Sequence, residues 1–115
     1  MFDINKFKKG EIAVLCTTQE QAEAFFRIAG DAGIRWRGGD DPRRMPEYDR
    51  HYSKERGGNV YIYRYRGSND QMSRGSLRWF EADTRCRKYE LVNFTTIKVE
   101  TDEFISLLMG DTRME

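Results

Sequence analysis

The stretch from Glu11 to Phe26 constrains the fold most. Glu11 to Cys16 is a short, nearly continuous apolar run, the pattern of a central strand buried on both faces. It leads straight into Thr17-Thr18-Gln19-Glu20, which reads as a capping box with Thr17 as N-cap and Glu20 reaching back. Ala22, Phe25, Phe26 and Ala29 then recur at helical spacing and make one apolar stripe, and Gly33 offers a C-cap. The spacing predicts a helix over residues 18–31, packed on the sheet to which the preceding strand belongs.

The remaining punctuation fills in the order of elements. Residues 1–10 form a lead-in ending at Gly10, with Phe2, Ile4 and Phe7 packing back on the domain. Ile34 to Arg37 reads as a short strand, and residues 38–58, rich in Gly, Pro and charge, as a long polar loop. Asn59 to Gly67 is the clearest strand: Val60, Ile62, Arg64 and Arg66 alternate with Tyr61, Tyr63 and Tyr65. One face would turn from apolar to cationic, and the other would be a row of tyrosines. Ser68 to Gly75 reads as a turn-rich link, and Ser76 to Asp83 as a short helix capped by Ser76 and anchored by Trp79 and Phe80. Tyr89 to Ile97 is a further strand, and residues 102–109 a C-terminal helix opened by Thr101 and closed by Gly110. The expected fold is a single α+β domain over residues 1–115. Its mostly antiparallel sheet of about four strands packs on one main helix, with a short C-terminal helix and tail over 101–115.

Charge narrows the function. The net charge is +1, but it is unevenly spread. Residues 1–34 carry four cations and five acids, residues 35–88 fourteen and eight, and residues 89–115 two and six. Twelve of the fourteen central cations are Arg, which favours directed contacts over a diffuse field. A near-neutral total argues against a protein held to DNA by long-range attraction, and equally against an acidic DNA mimic. The acidic C-terminal end is suited to covering the basic middle, within one chain or between copies.

In that middle the arginines sit beside rings: Arg35, Trp36 and Arg37; Tyr63, Arg64, Tyr65 and Arg66; Arg78 and Trp79. Guanidinium groups bind phosphate through a planar fork and stack on rings, and rings stack on bases. The same residue types are enriched at protein interfaces. Three readings therefore stand side by side: a phosphate or nucleotide site built from these nine residues, a protein interface, and a plain solvated surface. The loop arginines Arg43, Arg44, Arg50 and Arg56 suit closure over an anion or simple solvation.

Chemistry of other kinds has little footing. Neither a Walker-type nor a dinucleotide-binding glycine pattern occurs. Asp40 and Asp41 lack a third carboxylate at metal spacing and read as a turn, and no cofactor is implied. His51 is the single histidine, with no triad or zinc partner in the pattern, so no catalytic residue is expected. Cys16 closes the apolar run and belongs to the core, while Cys86, between Arg85 and Arg87, reads either as incidental or as a partly exposed thiol with a lowered pKa. Two free cysteines, no leader peptide and no apolar run near ~18 residues lead to the expectation of a soluble protein of a reducing cytoplasm, with no membrane partner.

The order of landmarks resembles a loose family of small, uncharacterised bacteriophage and prophage proteins. The likeness rests on Thr18, Glu20, Ala22 and Phe25 opening the helix, then Gly33, Ile34 and Trp36, then the strand bearing Tyr61 and Tyr63, then Tyr89 to Phe94, and it spans about residues 6–97. The resemblance implies a phage or mobile-element origin and a host bacterial cytoplasm. It also implies an accessory role of the counter-defence kind, either sequestering a nucleotide signal or blocking a host protein such as a nuclease. It carries no assigned catalytic residues. The expectation is a non-enzymatic binding protein for a nucleotide or nucleic-acid phosphate. The alternative is a protein-interaction module or homo-oligomer.

Overall fold

The computed structural model describes residues 2–65 and 70–94. Arg66 and the expected C-terminal helix lie outside them, as does the expected last strand beyond Phe94. The described elements run α1 (Ile4–Lys8), β1 (Ile12–Cys16), α2 (Gln19–Asp31), α3 (Arg50–Glu55), β2 (Asn59–Tyr63), β3 (Met72–Ser76), α4 (Leu77–Ala82) and β4 (Glu90–Asn93). A single mixed sheet of four strands has the order β3-β2-β1-β4. β1 and β2 are antiparallel with Val14 opposite Tyr61, β2 and β3 antiparallel with Tyr61 opposite Arg74, and β1 and β4 parallel with Ile12 opposite Glu90. This is the α+β class that the sequence predicts.

All five residues of β1 are buried, as its unbroken apolar run requires. Ile12, Val14, Cys16, Tyr61, Tyr63 and Met72 face the α2 side, where Phe7, Phe25, Phe26, Ile34, Trp36 and Phe94 complete the larger core. Ala13, Leu15, Val60 and Ile62 face the opposite side, covered by Cys86, Tyr89, Tyr65 and the α4 residues Leu77, Trp79 and Phe80. Rings supply much of the larger core: Phe25 lies edge-on to Phe7 at 5.3 Å and Phe26 edge-on to Tyr61 at 5.2 Å. Each such ring contributes roughly 1.5–3 kcal/mol on burial.

Helix α2 begins one residue later than the capping pattern suggests. Thr18, not Thr17, is the N-cap, and its hydroxyl accepts from the Gln21 N–H at 3.2 Å. The returning side chain is Gln21, whose Oε1 accepts from the Thr17 N–H and hydroxyl at 2.9 and 3.1 Å. Gln21 is therefore tied to both Thr17 and Thr18 and is buried, while Glu20 is exposed. At the other end Gly33 takes φ +82°, with the Gly33 N–H on the Gly30 carbonyl and the Ile34 N–H on the Ala29 carbonyl, each at 3.0 Å. That pair of bonds is a Schellman motif, and it drives Ile34 into the core.

Several segments depart from expectation for local reasons. Residues 4–8 of the lead-in form a short helix capped by Asp3. Ile34 to Arg37 makes only one bridge, Trp36 to Met72, before the chain turns at Gly38 and Gly39, where Gly39 has φ +94°. The link before Ser76 holds a full edge strand, β3. β2 ends at Tyr63 rather than at Gly67 because Arg64 adopts φ +59°. That left-handed residue sends Tyr65 to the far side of the sheet, away from Tyr61 and Tyr63. The expected tyrosine row is therefore split between the two faces.

The loop 38–58 is pinned along its length by polar ends of core side chains. Trp36 Nε1 donates to the Met45 carbonyl at 2.6 Å, and the Tyr61 hydroxyl to the Glu47 carbonyl at 2.8 Å. Tyr48 donates to the Thr17 carbonyl at 3.0 Å, and the Asn59 amide bonds both N–H and carbonyl of Asp49 at 3.0 and 2.9 Å. Asp49 in turn caps α3. These bonds hold α3 in place beside the outer part of β3.

Candidate functional site

The structure divides the nine predicted residues instead of gathering them. Trp36 and Tyr63 are core, 4% and 5% exposed, so neither ring offers a free face for stacking. Arg35 caps the C-terminal end of α2, donating Nη1 to the Ile34 carbonyl at 2.9 Å and to the Gly30 carbonyl at 3.4 Å. Arg64 pairs with Asp70 at 2.6 Å, on a separate surface with Lys8 and Lys9. Tyr65 lies under α4, edge-on to Trp79 at 5.4 Å, and donates its hydroxyl to Asp83 at 2.7 Å. Arg66 lies outside the described residues. Arg37, Arg78 and Trp79 remain on the β3 and α4 side of the molecule.

Two grooves lie along β3 there, and Arg74 lines both. The first, of about 470 Å³, is lined by His51 and Tyr52 of α3, Arg56, Arg74 to Ser76, and Trp79. The second, of about 320 Å³, is lined by Arg37, Gly38, Asp40, Glu47, Ser73 and Arg74, with Trp36 and Met72 at its base. The first follows from the local sequence. Asp49 starts α3 and so presents His51 and Tyr52. Ser76 ends β3 and caps α4, its hydroxyl accepting from the Trp79 N–H at 3.1 Å. Gly75 then lets the Trp79 ring lie against the strand, where a Cβ would stand 2.2 Å from Trp79 Cε3.

Arg74 is the polar centre of this region. Its guanidinium lies over the Tyr52 ring at 5.2 Å. Its Nη1 is 3.8 Å from Asp49, too long for a hydrogen bond, and the nearer demands on Asp49 Oδ1 come from the α3 N–H groups. Arg74 Nε is shut off from solvent and has no hydrogen-bond partner. An orphaned donor of this kind costs about 1–3 kcal/mol until an acceptor reaches it. The backbone of Arg74 faces outward too. Met72 gives its N–H and carbonyl to Arg35 and Arg37, so by strand alternation Arg74 also points away from β2.

Other charged residues serve the fold. Arg43 lies across Gly30 and joins Asp41 and Asp31 at 2.7 and 2.6 Å, and its bonds hold the Asp41 carboxyl well below the usual range. Arg50 reaches Gln19 at 3.2 Å. Arg85, and next the Tyr65 hydroxyl, hold the Asp83 carboxyl well below its usual range. Cys86 is not a partly exposed, activated thiol: it is 1% exposed, and burial raises its pKa. His51 faces Glu55 at 3.3 Å on the surface of α3.

Arg74, Tyr52 and His51 were outside the predicted set, and Arg56 figured only among the loop arginines suited to closure over an anion or to solvation. Arg74 stood in a stretch with turn composition, and nothing in its neighbours signals an edge strand. Among the described residues, no cluster of His, Cys, Asp or Glu could hold a metal ion, and no helix is long and apolar enough to cross a membrane. Comparison with known proteins finds no matching family model, curated protein or solved structure.

Proposed function

We propose that this chain is a non-enzymatic binding protein that captures a phosphate-bearing ligand, a nucleotide or nucleic-acid segment, in the groove between α3 and β3. The observation that carries the proposal is the Arg74 guanidinium, which lines both grooves and lies over the Tyr52 ring while its contact with Asp49 is a loose 3.8 Å. An oxyanion in the groove meets the Arg74 guanidinium at its terminal Nη groups, since Nε is shut off from solvent, and gains charge-assisted bonds there. Arg56 lines the same groove and adds to its cationic character. Tyr52 and Trp79, on elements either side of the groove, provide flat apolar surface for a ring. The likeness to small phage proteins supports placing such a binder among accessory proteins that counter host defence.

A protein-interaction role is the second reading, and the outward-facing backbone of Arg74 on the edge strand favours it, since such edges pair with added strands. A thermal-shift series separates the two. Nucleotides at about 100 times their dissociation constant add about 2.7 kcal/mol of stability, a clear rise in Tm that fades with salt if phosphate is the anchor. Absence of any shift with mononucleotides, dinucleotides and oligonucleotides would move the assignment to the edge-strand reading.

A further inference from the structure

Arg74 stands where the two grooves meet, and the grooves differ in chemistry on its two sides. On one side are the rings of Tyr52 and Trp79 with Arg56. On the other are Ser73 and Arg37 together with the carboxylates of Asp40 and Glu47. A second phosphate beside Asp40 and Glu47 would meet like charge. A neutral group bearing N–H and O–H donors would instead be accepted by those carboxylates and by the Ser73 hydroxyl. The track along β3 from Met72 to Ser76 is roughly 13 Å long at the ordinary strand rise. Each groove alone sits at the small end of ligand sites.

We infer that the ligand is a phosphodiester flanked by two nucleosides, its single anionic phosphate on Arg74, one base in the Tyr52 and Trp79 groove and the second nucleoside in the Asp40 and Glu47 groove. This rests on the phosphate-capture reading and narrows it. A mononucleotide fills one groove and leaves the other to water. The phosphodiester comes either from a free dinucleotide or from an internal step of a single strand, and both present the same chemistry to Arg74.

The test is calorimetric titration of the full chain with adenosine monophosphate, the dinucleoside monophosphate ApA and a short adenine oligonucleotide, in wild type and in Gly38→Tyr. Gly38 lines the second groove and not the first, and a Cβ there meets nothing nearer than Asp40 Oδ2 at 3.9 Å, so the position accepts a side chain that takes up space in the second groove. ApA is expected to bind at least about tenfold tighter than the monophosphate, a gain of about 1.4 kcal/mol. Gly38→Tyr is expected to erase that gain and leave monophosphate affinity in place. Equal affinity for ApA and oligonucleotide assigns a free dinucleotide, and tighter oligonucleotide binding a strand; either supports the inference. ApA no tighter than the monophosphate, or a gain that survives Gly38→Tyr, overturns the inference alone. Failure of all three ligands to bind overturns the phosphate reading with it.

Discussion

Trp36 donates its indole N–H to the backbone carbonyl of Met45 at 2.6 Å, so a ring that the sequence offers as a ligand stacker instead ties a long loop to the core. Trp36 is 4% exposed and packs edge-on against Phe26 at 5.5 Å. Trp36→Phe keeps a ring in the core but orphans the Met45 carbonyl, and is expected to cost about 1–2 kcal/mol of stability. Trp36→Ala adds a cavity and is expected to cost about 3–5 kcal/mol. Urea unfolding of both variants checks this. An unchanged midpoint for Trp36→Phe would mean that the bond does not hold the loop.

Gly75 and Trp79 are a second obligatory pair. A methyl at Gly75 would stand 2.2 Å from the Trp79 ring and 2.6 Å from its Cζ3. Gly75→Ala is expected to cost about 1–3 kcal/mol through overpacking and to displace the groove wall, weakening nucleotide binding in a chain that still folds. Titration of the folded variant reads the binding loss separately from the change in urea midpoint.

Arg64 is the one described non-glycine residue with positive φ, at 59°. Its conformation lets Tyr65 cross the sheet to reach Asp83. A left-handed non-glycine residue costs roughly 1–2 kcal/mol, while glycine adds unfolded-state freedom worth roughly 0.5–1 kcal/mol. Arg64→Gly is therefore expected to be neutral or to stabilise by up to ~1 kcal/mol, whereas Arg64→Val destabilises. Paired denaturation curves decide, and a clear loss in Arg64→Gly would show that the Asp70 ion pair outweighs backbone strain.

Asp83 links Tyr65, Arg85 and the turn at Thr84–Cys86, and these bonds depress its pKa in the fold. A depressed carboxylate stabilises the fold above the unfolded pKa near ~3.9 and loses that contribution as pH falls through the folded value. Asp83→Asn is therefore expected to be less stable than wild type at neutral pH. The gap should begin to narrow as pH drops below about 4, where Asp83 of the unfolded chain takes up a proton while the folded carboxylate stays ionised, and should go on narrowing toward the folded value. Urea midpoints measured from neutral pH down to about pH 2 test it; a gap that stays constant would assign the loss to shape rather than charge.

Much of the fold was legible because its signals are local. The apolar run of β1, the stripe of α2, the Ser76 cap and the ring-rich core each need only neighbouring residues to be recognised. The site was not, because it depends on contacts between distant segments. Trp36, Tyr61 and Tyr63 look alike on paper whether their rings face a ligand or α2, and only the sheet register sends them inward. Tyr65 shares their parity in sequence, yet a single backbone angle at Arg64 puts it on the other face. Arg74 carried no local signal at all. Its importance arises from Tyr52, brought beside it by α3, and from the Met72 bridge that turns its backbone outward.

The central claim is that Arg74 holds a phosphate through its guanidinium fork. The most direct measurement is nucleotide titration of wild type, Arg74→Lys and Arg74→Ala, each first shown to fold by its unfolding midpoint. Saturable, salt-sensitive binding is predicted in wild type. A loss of at least about tenfold is predicted in both variants, because lysine keeps the charge but cannot present the fork. Binding in Arg74→Ala equal to wild type, or a folded wild type that binds no nucleotide, would contradict it.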